Sequence, residues 1–221
     1  MYVCIFSSIV YIYIDTRFRH PEGVAVDREG YVYVADTGNH AIRAISPSGN
    51  VITLAGTGAA GSKDGFATDA QFSSPSSIAV WYDWQWWPYE DPDDPDSVLY
   101  RNGDGALVLF VTDTGNHRIR KLTFRVIYDA DGAKQWQNVH VECFAGKCGN
   151  DNNEPLSGYA DGEASISRFD SPRGIAVSSI GDVFVADANN HLIRKIDRYG
   201  VTRILAGAVE VSEVRTTFHV V

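Results

Sequence analysis

The strongest constraint on the fold of this 221-residue chain is an eleven-residue phrase that occurs three times. It reads ADTGNHAIRAI from Ala35, TDTGNHRIRKL from Thr112 and ADANNHLIRKI from Ala186. Asp, Asn and His keep the same places in every copy. A chain repeats such a phrase either because its sites share one chemistry or because its structural units are built in the same way.

Landmarks in a fixed order surround each phrase. A proline precedes it, and an Ala-Gly pair ends the unit. Pro21 and Pro75 lie 54 residues apart, whereas Pro75 and Pro172 lie 97 residues apart. The additional residues of the second unit fall only between landmarks, as we expect for loop insertions between strands of a repeated unit.

Each unit contains four short strand patterns. In the first unit they read GVAVD, YVYVAD, AIRAIS and VITLAG, and they are separated by REG, TGNH and PSGN. The second and third patterns alternate with period two, and the intervening segments carry turn residues. Four-stranded antiparallel units in tandem are typical of β-propeller blades, which must stack because one blade cannot bury both its faces.

The residues HPEGVAVDREGYVYVADTGNHAIRAISPSGNVITLAG resemble a full-length NHL repeat, a family named for an Asn-His-Leu signature. The third unit spells this signature as Asn190, His191 and Leu192, and the first two units have Ala41 and Arg118 in place of leucine. The resemblance implies an all-β fold, a β-propeller that commonly has six blades and most often serves as a binding scaffold. Three units predict three four-stranded antiparallel blades in an open arc, either part of a longer ring or half of a dimer.

The repeat also predicts the domain boundaries. We expect an apolar segment over 1–19, blades over 20–207 with a tryptophan-rich insertion at 81–105, and a tail over 208–221. The N-terminal segment is too short for a comfortable membrane span and lacks the basic region of a signal peptide, which favours a strand. The tail lacks the connector that follows the other Ala-Gly pairs, which indicates truncation.

The polar residues of the phrase are predicted to be structural. Asp and Asn fall where the second strand turns into the third, where short side chains bind local backbone groups, and His can bridge to a neighbouring strand. Equivalent turns in three blades lie too far apart to form one metal or catalytic site, so we assign no catalytic or metal-binding residue. The residues concerned are Asp36, Asn39, His40, Asp113, Asn116, His117, Asp187, Asn190 and His191.

Two connectors carry a shared Asp-Gly pair, in KDGFATDAQFSSP (63–75) and ADGEASISRFDSP (160–172). The pair predicts a turn followed by a short helical turn, with Phe72 or Phe169 between blades. If the connectors line a mouth of the channel, Asp64 and Asp161 are candidate ligand-facing groups. A purely structural turn is the favoured alternative for both.

The insertion concentrates large aromatic rings on what reads as a loop, a pattern typical of surfaces that recognise proteins or glycans. An extension of the blade strands is the alternative. The rings are Trp81, Tyr82, Trp84, Trp86, Trp87 and Tyr89. Calcium would suit the acidic run that follows, but the run lacks the EF-hand pattern, so a solvated loop is favoured and no cofactor is predicted. The acidic residues are Glu90, Asp91, Asp93, Asp94 and Asp96.

Charge and cysteine content restrict the classes of partner and the cellular location that we expect for the chain. The chain has 28 acidic and 19 basic side chains and a net charge of -9, which makes nucleic acid a poor partner. Cys143 and Cys148 form either a loop disulfide, as in secreted proteins, or two reduced thiols. We favour an extracellular location without excluding an intracellular one.

Two classes of function follow from the resemblance. The first is a noncatalytic scaffold that also self-associates through the open edges of its arc. The second is a metal-dependent propeller hydrolase or lyase, similar to lactonases and the peptide-amidating lyase, with a metal at the channel axis. Its ligands would come from the beginnings of the innermost strands, at Glu22, Ser76 and Arg173. One acid among three positions is weak support, so the scaffold is preferred.

Overall fold

The computed structural model describes residues 17–83, 106–129, 132–148 and 156–208. Its first sheet, blade 1, is a meander in which each strand pairs with the next in sequence. The strands are β1 (Pro21–Val26), β2 (Val32–Asp36), β3 (Ala41–Ile45) and β4 (Val51–Ala55). The Gly-containing turns between them match the breaks in the hydrophobic pattern.

Blade 2 repeats this meander and gains a two-residue strand from the connector, in the order β5-β9-β8-β7-β6. Its strands are β5 (Gly65–Phe66), β6 (Pro75–Asp83), β7 (Ala106–Asp113), β8 (Arg118–Tyr128) and β9 (Lys134–Ala145). Blade 3 is again a four-stranded meander. It contains β10 (Pro172–Val177), β11 (Val183–Asp187), β12 (Leu192–Ile196) and β13 (Thr202–Ala206).

The first strands of the blades pack together, because β6 contacts both β1 and β10. Gly23 permits this approach, since a Cβ atom there would lie 2.5 Å from Ser77 Cα. The first strands therefore face the axis of the arc, and the last strands lie at its periphery. Among the described residues the fold is all-β with antiparallel blades in an open arrangement, which confirms the predicted architecture.

The hydrophobic core has two parts, one at each blade interface, because alternate residues of β7 face opposite sides of the blade. Leu107, Leu109 and Val111 pack toward blade 1. Val108 and Phe110 lie on the other face and pack toward blade 3. Alternate residues of one strand thus contribute to both interfaces, as the pleat of a strand buried on both faces requires.

The additional residues of the second unit extend strands as well as loops, which corrects the expectation of loop insertions. β6 and β7 contain nine and eight residues, against six and five in β1 and β2. β8 and β9 contain 11 and 12, against five in each of β3 and β4. Residues 81–83 of the predicted insertion belong to β6, and 84–105 lie outside the described residues.

Each phrase forms a short 3-10 turn between the second and third strands, at Thr37–Asn39, Thr114–Asn116 and Ala188–Asn190. The first connector contains a 3-10 turn at Ala67–Asp69, as predicted. The second connector makes a single α-turn, in which Ser167 N donates to Glu163 O over 2.8 Å, so it also contains the predicted short helical turn.

Cys143 and Cys148, whose state the sequence left open, form a disulfide with Cα atoms 5.6 Å apart. Of the predicted N-terminal segment, 1–19, and the predicted tail, 208–221, residues 1–16 and 209–221 lie outside the described residues, so the expected N-terminal strand stays a prediction. Within the described ranges we find no helix with the length and apolar character of a membrane span.

Candidate functional site

The aspartate of each phrase organises a buried hydrogen-bond network at the end of the second strand. In blade 2, Asp113 Oδ2 accepts from Asn116 Nδ2 at 2.7 Å and from Arg120 Nη1 at 2.9 Å. Asp113 Oδ1 accepts from the backbone N of Ser73 at 2.7 Å. The carboxylate thus holds the turn, the third strand and the residue two before Pro75 together.

The other blades repeat this network. Asp187 accepts from Asn190, Arg194 and the backbone of Asp170, at 2.8, 2.9 and 2.7 Å. Asp36 accepts from Asn39, Arg43 and the backbone of Arg19, at 2.8, 3.2 and 2.7 Å. The arginine was missed by the sequence reasoning, although the Ile-Arg pair in every copy of the phrase was a usable signal.

Burial raises the pKa of the Asp113 carboxyl above its ordinary value, and the neighbouring Arg120 guanidinium opposes that rise. Burial likewise raises the pKa of Asp187, against hydrogen bonds from Asn190 and Arg194. Each carboxylate accepts three hydrogen bonds from its own surroundings. Such saturation is typical of structural carboxylates.

The rest of the phrase connects each blade to the next. His40 Nδ1 accepts from Ser74 N, and His117 Nδ1 accepts from Ser171 N, both at 3.0 Å. Thr37 and Thr114 donate their hydroxyls over 2.6 Å to the carbonyls of Pro75 and Pro172.

The third copy of the phrase departs from this pattern. His191 is exposed, and Ala188 takes the place of the threonine. Within the part of the chain that the structure describes, no hydrogen bond to the His191 ring is found.

The connector aspartates lie at the periphery, which corrects their predicted position at a channel mouth. Asp64 Oδ1 lies 2.5 Å from Arg120 Nη2, and Asp161 Oδ1 lies 2.6 Å from Arg194 Nη2. The glycines that follow them pair with the outermost strands, β9 and β13. The chain must return from the outer strand of one blade to the inner strand of the next, so the connector begins far from the axis. A ligand role for either residue stays a prediction.

Trp81 and Tyr82 belong to β6 and pack against neighbouring blades. Trp81 is 8% exposed and donates Nε1 to Ser179 O of blade 3 over 3.3 Å. The Tyr82 hydroxyl accepts from Arg28 N of blade 1 at 3.0 Å, beneath the Arg28 guanidinium. Burial raises the pKa of Tyr82. Trp81 is therefore not accessible to a partner, which corrects its interpretation as a recognition ring.

The remaining predicted rings, Trp84, Trp86, Trp87 and Tyr89, and the acidic run after them lie outside the described residues. A cleft of about 420 Å³ opens where their insertion leaves β6 at Asp83 and rejoins β7 at Ala106. We call it the blade-2 cleft. Its apolar part includes Leu107, Val108 and Phe124, and its rim carries the Lys121–Glu142 pair at 3.3 Å.

At the axis, Glu22 and Arg173 approach each other across the arc, with Arg173 Nη1 3.7 Å from Glu22 Oε2. Ser76 Oγ lies 2.6 Å from Thr114 Oγ1 and donates to Arg173 O over 3.3 Å. The one acid of this group is thus paired with a cation, and the serine belongs to a blade interface. The described residues contain no group of three His, Cys, Asp or Glu side chains in a metal-binding arrangement.

A buried ion pair between blades 1 and 2 was missed by the sequence reasoning. Lys134 Nζ donates to Asp27 Oδ2 over 2.7 Å and to Glu29 Oε1 over 3.1 Å. The Tyr33 hydroxyl donates to the same Asp27 oxygen over 3.1 Å. Burial raises the pKa of Tyr33 far above its ordinary value. The Lys134 and Asp27 side chains are 1% and 0% exposed, so this pair is part of the core.

Comparison with known families gives this architecture a name. The NHL repeat model matches residues 18–45, and the teneurin NHL domain model matches residues 97–217, more than half of the chain. The chain belongs to the NHL-repeat family. The phrase therefore holds its blade together in all three NHL repeats, and in the first two it also binds the blade to the next.

The relatives are longer proteins. Protein SUPPRESSOR OF QUENCHING 1, chloroplastic, from Arabidopsis thaliana is 44% identical over 67 residues, which cover 30% of this NHL chain and 6% of that protein. NHL repeat-containing protein 2 from Bos taurus is 32% identical over 120 residues, 53% of this chain and 14% of that protein. This chain therefore spans a small part of either relative.

Among solved structures, an auxiliary nutrient binding protein from Bacteroides thetaiotaomicron superposes with a TM-score of 0.55 at 24% identity. The match covers 78% of this chain and 36% of the bacterial one. At that identity the likeness establishes the fold alone.

Proposed function

We propose that this NHL-repeat chain is a noncatalytic binding scaffold that recognises a protein or a glycan at the extended end of blade 2. The observation that carries the proposal is the blade-2 cleft, which lies between the two ends of the tryptophan-rich insertion at Asp83 and Ala106. The residues that flank the insertion with its four rings, Asp83 and Ala106, both line this cleft.

The chemistry of the cleft supports binding. Ligand sites combine a mainly apolar surface with a few polar groups that fix orientation. Here the buried side chains of Leu107, Val108 and Phe124 form the floor of the cleft, so the apolar contact would come from the rings of the insertion. The partly exposed Lys121, Arg125 and Glu142 supply polar groups beside it. Aromatic residues at the centre of an interface contribute most of its binding energy. The insertion carries three tryptophans and a tyrosine for that role.

The residues at the axis of the arc support a catalytic function less than the cleft supports binding. A metal-dependent hydrolase or lyase needs several hard or imidazole ligands around an open position. The beginnings of the three described innermost strands offer one carboxylate, Glu22, which already lies 3.7 Å from the Arg173 guanidinium. The aspartates of the repeats are engaged in holding the blades, so none is directed at a substrate.

Self-association also belongs to this proposal, with a different contact surface from the strand edges expected above. Propeller blades stack face to face, and among the described residues no blade covers the outer face of blade 1 or of blade 3. Val24 and Val26 are 65% and 59% exposed on blade 1, and Ile193 and Leu205 are 41% and 54% exposed on blade 3. We expect copies to associate through these faces.

The binding surface is tested with a variant in which Trp84, Trp86 and Trp87 become serine. We expect it to lose roughly tenfold or more in affinity for ligands that the parent selects from a defined oligosaccharide panel and a displayed peptide library. The matched control changes Asp93, Asp94 and Asp96 to Asn in the same insertion and should retain binding. Thermal unfolding of both variants is measured beside the parent, and a loss of binding is attributed to the insertion only where the unfolding midpoint is retained.

If the serine variant and the parent bound with equal affinity, the three tryptophans of the insertion would not be part of the binding surface. Metal-dependent esterase or lactonase activity that disappears in Glu22→Gln would overturn the noncatalytic assignment in favour of the alternative.

A further inference from the structure

The surface that each blade turns toward the next one is built from four repeated positions, two on the second strand and one each on the third and fourth. In blade 1 these side chains pack against blade 2 and are at most 3% exposed, and they are Tyr33, Ala35, Ile42 and Leu54. In blade 2 they face blade 3 and are at most 9% exposed, and they are Phe110, Thr112, Ile119 and Phe144. We call these four positions the docking face of a blade.

Blade 3 keeps an apolar docking face, although among the described residues no further blade covers it. The four positions hold Phe184, Ala186, Ile193 and Leu205. Ile193 and Leu205 are 41% and 54% exposed, whereas the residues at their positions in blades 1 and 2 are buried. A sheet face that remains in water normally carries polar side chains, so these positions have the composition of an interface.

The opposite side of blade 1 supplies a matching surface. Ile78 of β6 and Ile175 of β10 occupy one repeated position of the first strand, and each packs in the apolar cluster between its blade and the preceding one. Val24 of β1 occupies this position and is 65% exposed. Val26 lies two residues further along the strand and is 59% exposed. We call the surface around Val24 and Val26 the entry face of blade 1.

The backbone at the start of blade 1 also matches the two formed interfaces. Ser74 and Ser171 donate their N–H groups to a histidine of the preceding blade and have φ of 49° and 50°. His20 lies at the same position, one residue before Pro21, with φ of 48°. Its N–H therefore has the placement that suits a histidine ring such as that of His191 in blade 3.

We propose that the docking face of blade 3 binds the entry face of blade 1 in a second copy of this chain. The inference rests on the self-association proposed above and assigns which two faces meet. Continuity with the internal interfaces favours this occupant, because blade 1 of a second copy offers the same kinds of side chain and the same backbone conformation that blades 2 and 3 offer to the blade before them.

In this contact Ile193 packs against Val24 of the second copy, and His191 Nδ1 accepts the N–H of that copy's His20. A separate copy leaves His191 without this partner. The contact is heterologous, since two different faces meet and each copy carries one of each. The two faces can therefore be disrupted separately.

Val24→Asp disrupts the entry face and leaves the docking face intact, and Ile193→Asp does the opposite. We expect each substitution alone to weaken self-association by roughly tenfold or more, because a carboxylate would be buried without a partner. Sedimentation velocity over a range of protein concentrations measures the effect. An equimolar mixture of the two variants should form pairs, because one intact contact remains between unlike copies.

Ile166→Asp is the matched control, since Ile166 is 57% exposed and lies in the connector between blades 2 and 3. It should associate like the parent. Unfolding midpoints measured at concentrations below association show whether each variant retains its fold. Val24 and Ile193 are exposed in a separate copy, so we expect no large shift.

A second pair of variants strengthens the contact instead of weakening it. Thr37 and Thr114 each donate a hydroxyl over 2.6 Å to a proline carbonyl of the next blade, and Ala188 takes their place in blade 3. Ala188→Thr supplies this hydroxyl for the Pro21 carbonyl of the second copy, and Ala188→Val has the same shape without it. We expect Ala188→Thr to associate roughly two- to tenfold more tightly than Ala188→Val.

Three results would contradict the assignment of faces. If Val24→Asp or Ile193→Asp alone associated like the parent, the faces that meet would be different ones, while the self-association itself would stand. If the mixture of the two stayed monomeric, or if Ala188→Thr and Ala188→Val associated equally, the heterologous contact would be wrong. A parent chain that is monomeric at every concentration would overturn the self-association as well. Ligand binding by the insertion is measured separately and is unaffected by either outcome.

Discussion

The two blade interfaces are built on one framework and packed with different chemistry. At both, a threonine hydroxyl donates over 2.6 Å to the proline carbonyl of the next blade. At both, a histidine Nδ1 accepts a backbone N–H of the next blade at 3.0 Å. The repeated phrase therefore determines how blades dock, whatever lies between them.

The side chains that pack between the blades depend on the strand extensions of blade 2. The β8–β9 extension brings Lys134 and Trp136 against blade 1, where Lys134 pairs with Asp27 and the Trp136 ring meets Tyr31 edge to face at 5.3 Å. The β6 extension brings Trp81 against blade 3, in an apolar cluster with Phe110 and Phe144. Residues outside the repeat therefore determine which side chains pack at each interface. They also determine how strongly each interface responds to a substitution.

The largest expected effect is at the interface of blades 1 and 2, which we call the polar interface because its apolar core also contains the buried Lys134–Asp27 pair. Lys134→Met leaves the Asp27 carboxylate buried without its cation, so we expect a loss of about 3–5 kcal/mol in the free energy of unfolding. Urea denaturation followed by tryptophan fluorescence measures it. Asp27→Asn in the Lys134→Met background should recover much of the loss, because a neutral amide still accepts the Glu29 and Tyr31 backbone N–H groups. A double variant as unstable as the single one would show that packing, and not the buried charge, dominates this interface.

The second effect is at the apolar interface. Trp81→Ala removes the largest ring there, and we expect a loss of about 3 kcal/mol or more in the free energy of unfolding. Tyr82→Phe is the matched control on the opposite face of the same strand, since it keeps the ring and gives up only the hydroxyl that accepts from the exposed Arg28 backbone. We expect a loss of about 0.5 kcal/mol or less there. If Trp81→Ala were as mild as Tyr82→Phe, the β6 extension would contribute little to the interface.

The blades could be predicted from the sequence because the signals that define a blade are close together along the chain. Period-two strands, Gly-containing turns and the repeated phrase all lie within one 54-residue unit. The blade-holding role of Asp113 also follows from its position at a turn, and Arg120 lies only seven residues further along the same phrase.

The polar interface and the connector positions were not predictable in this way. Lys134 and Asp27 lie 107 residues apart and belong to different blades, so no local pattern joins them. Their meeting requires that the additional residues after Asp113 continue β8 and β9 as strands. Asp64 was expected at a mouth of the channel because the Asp-Gly pair specifies only a turn. The path of a connector from periphery to axis is a property of the assembled arc.

The smallest effect tests the shared framework and uses the third copy of the phrase as its control. His117 and His191 both lie in left-handed backbone, with φ of 54° and 56°, so replacement by alanine costs both sites the same strain. His117 additionally accepts the Ser171 N–H of the next blade. We therefore expect His117→Ala to lower the free energy of unfolding by about 1–2 kcal/mol more than His191→Ala, the cost of leaving a partly buried donor unpaired. Parallel urea denaturations give the difference directly.

His40→Ala should behave like His117→Ala, because its Nδ1 accepts the Ser74 N–H at the same 3.0 Å although the interface behind it is polar. If the His40 and His117 variants differed by as much as the His117 and His191 variants, the framework would not act independently of the side chains packed between the blades.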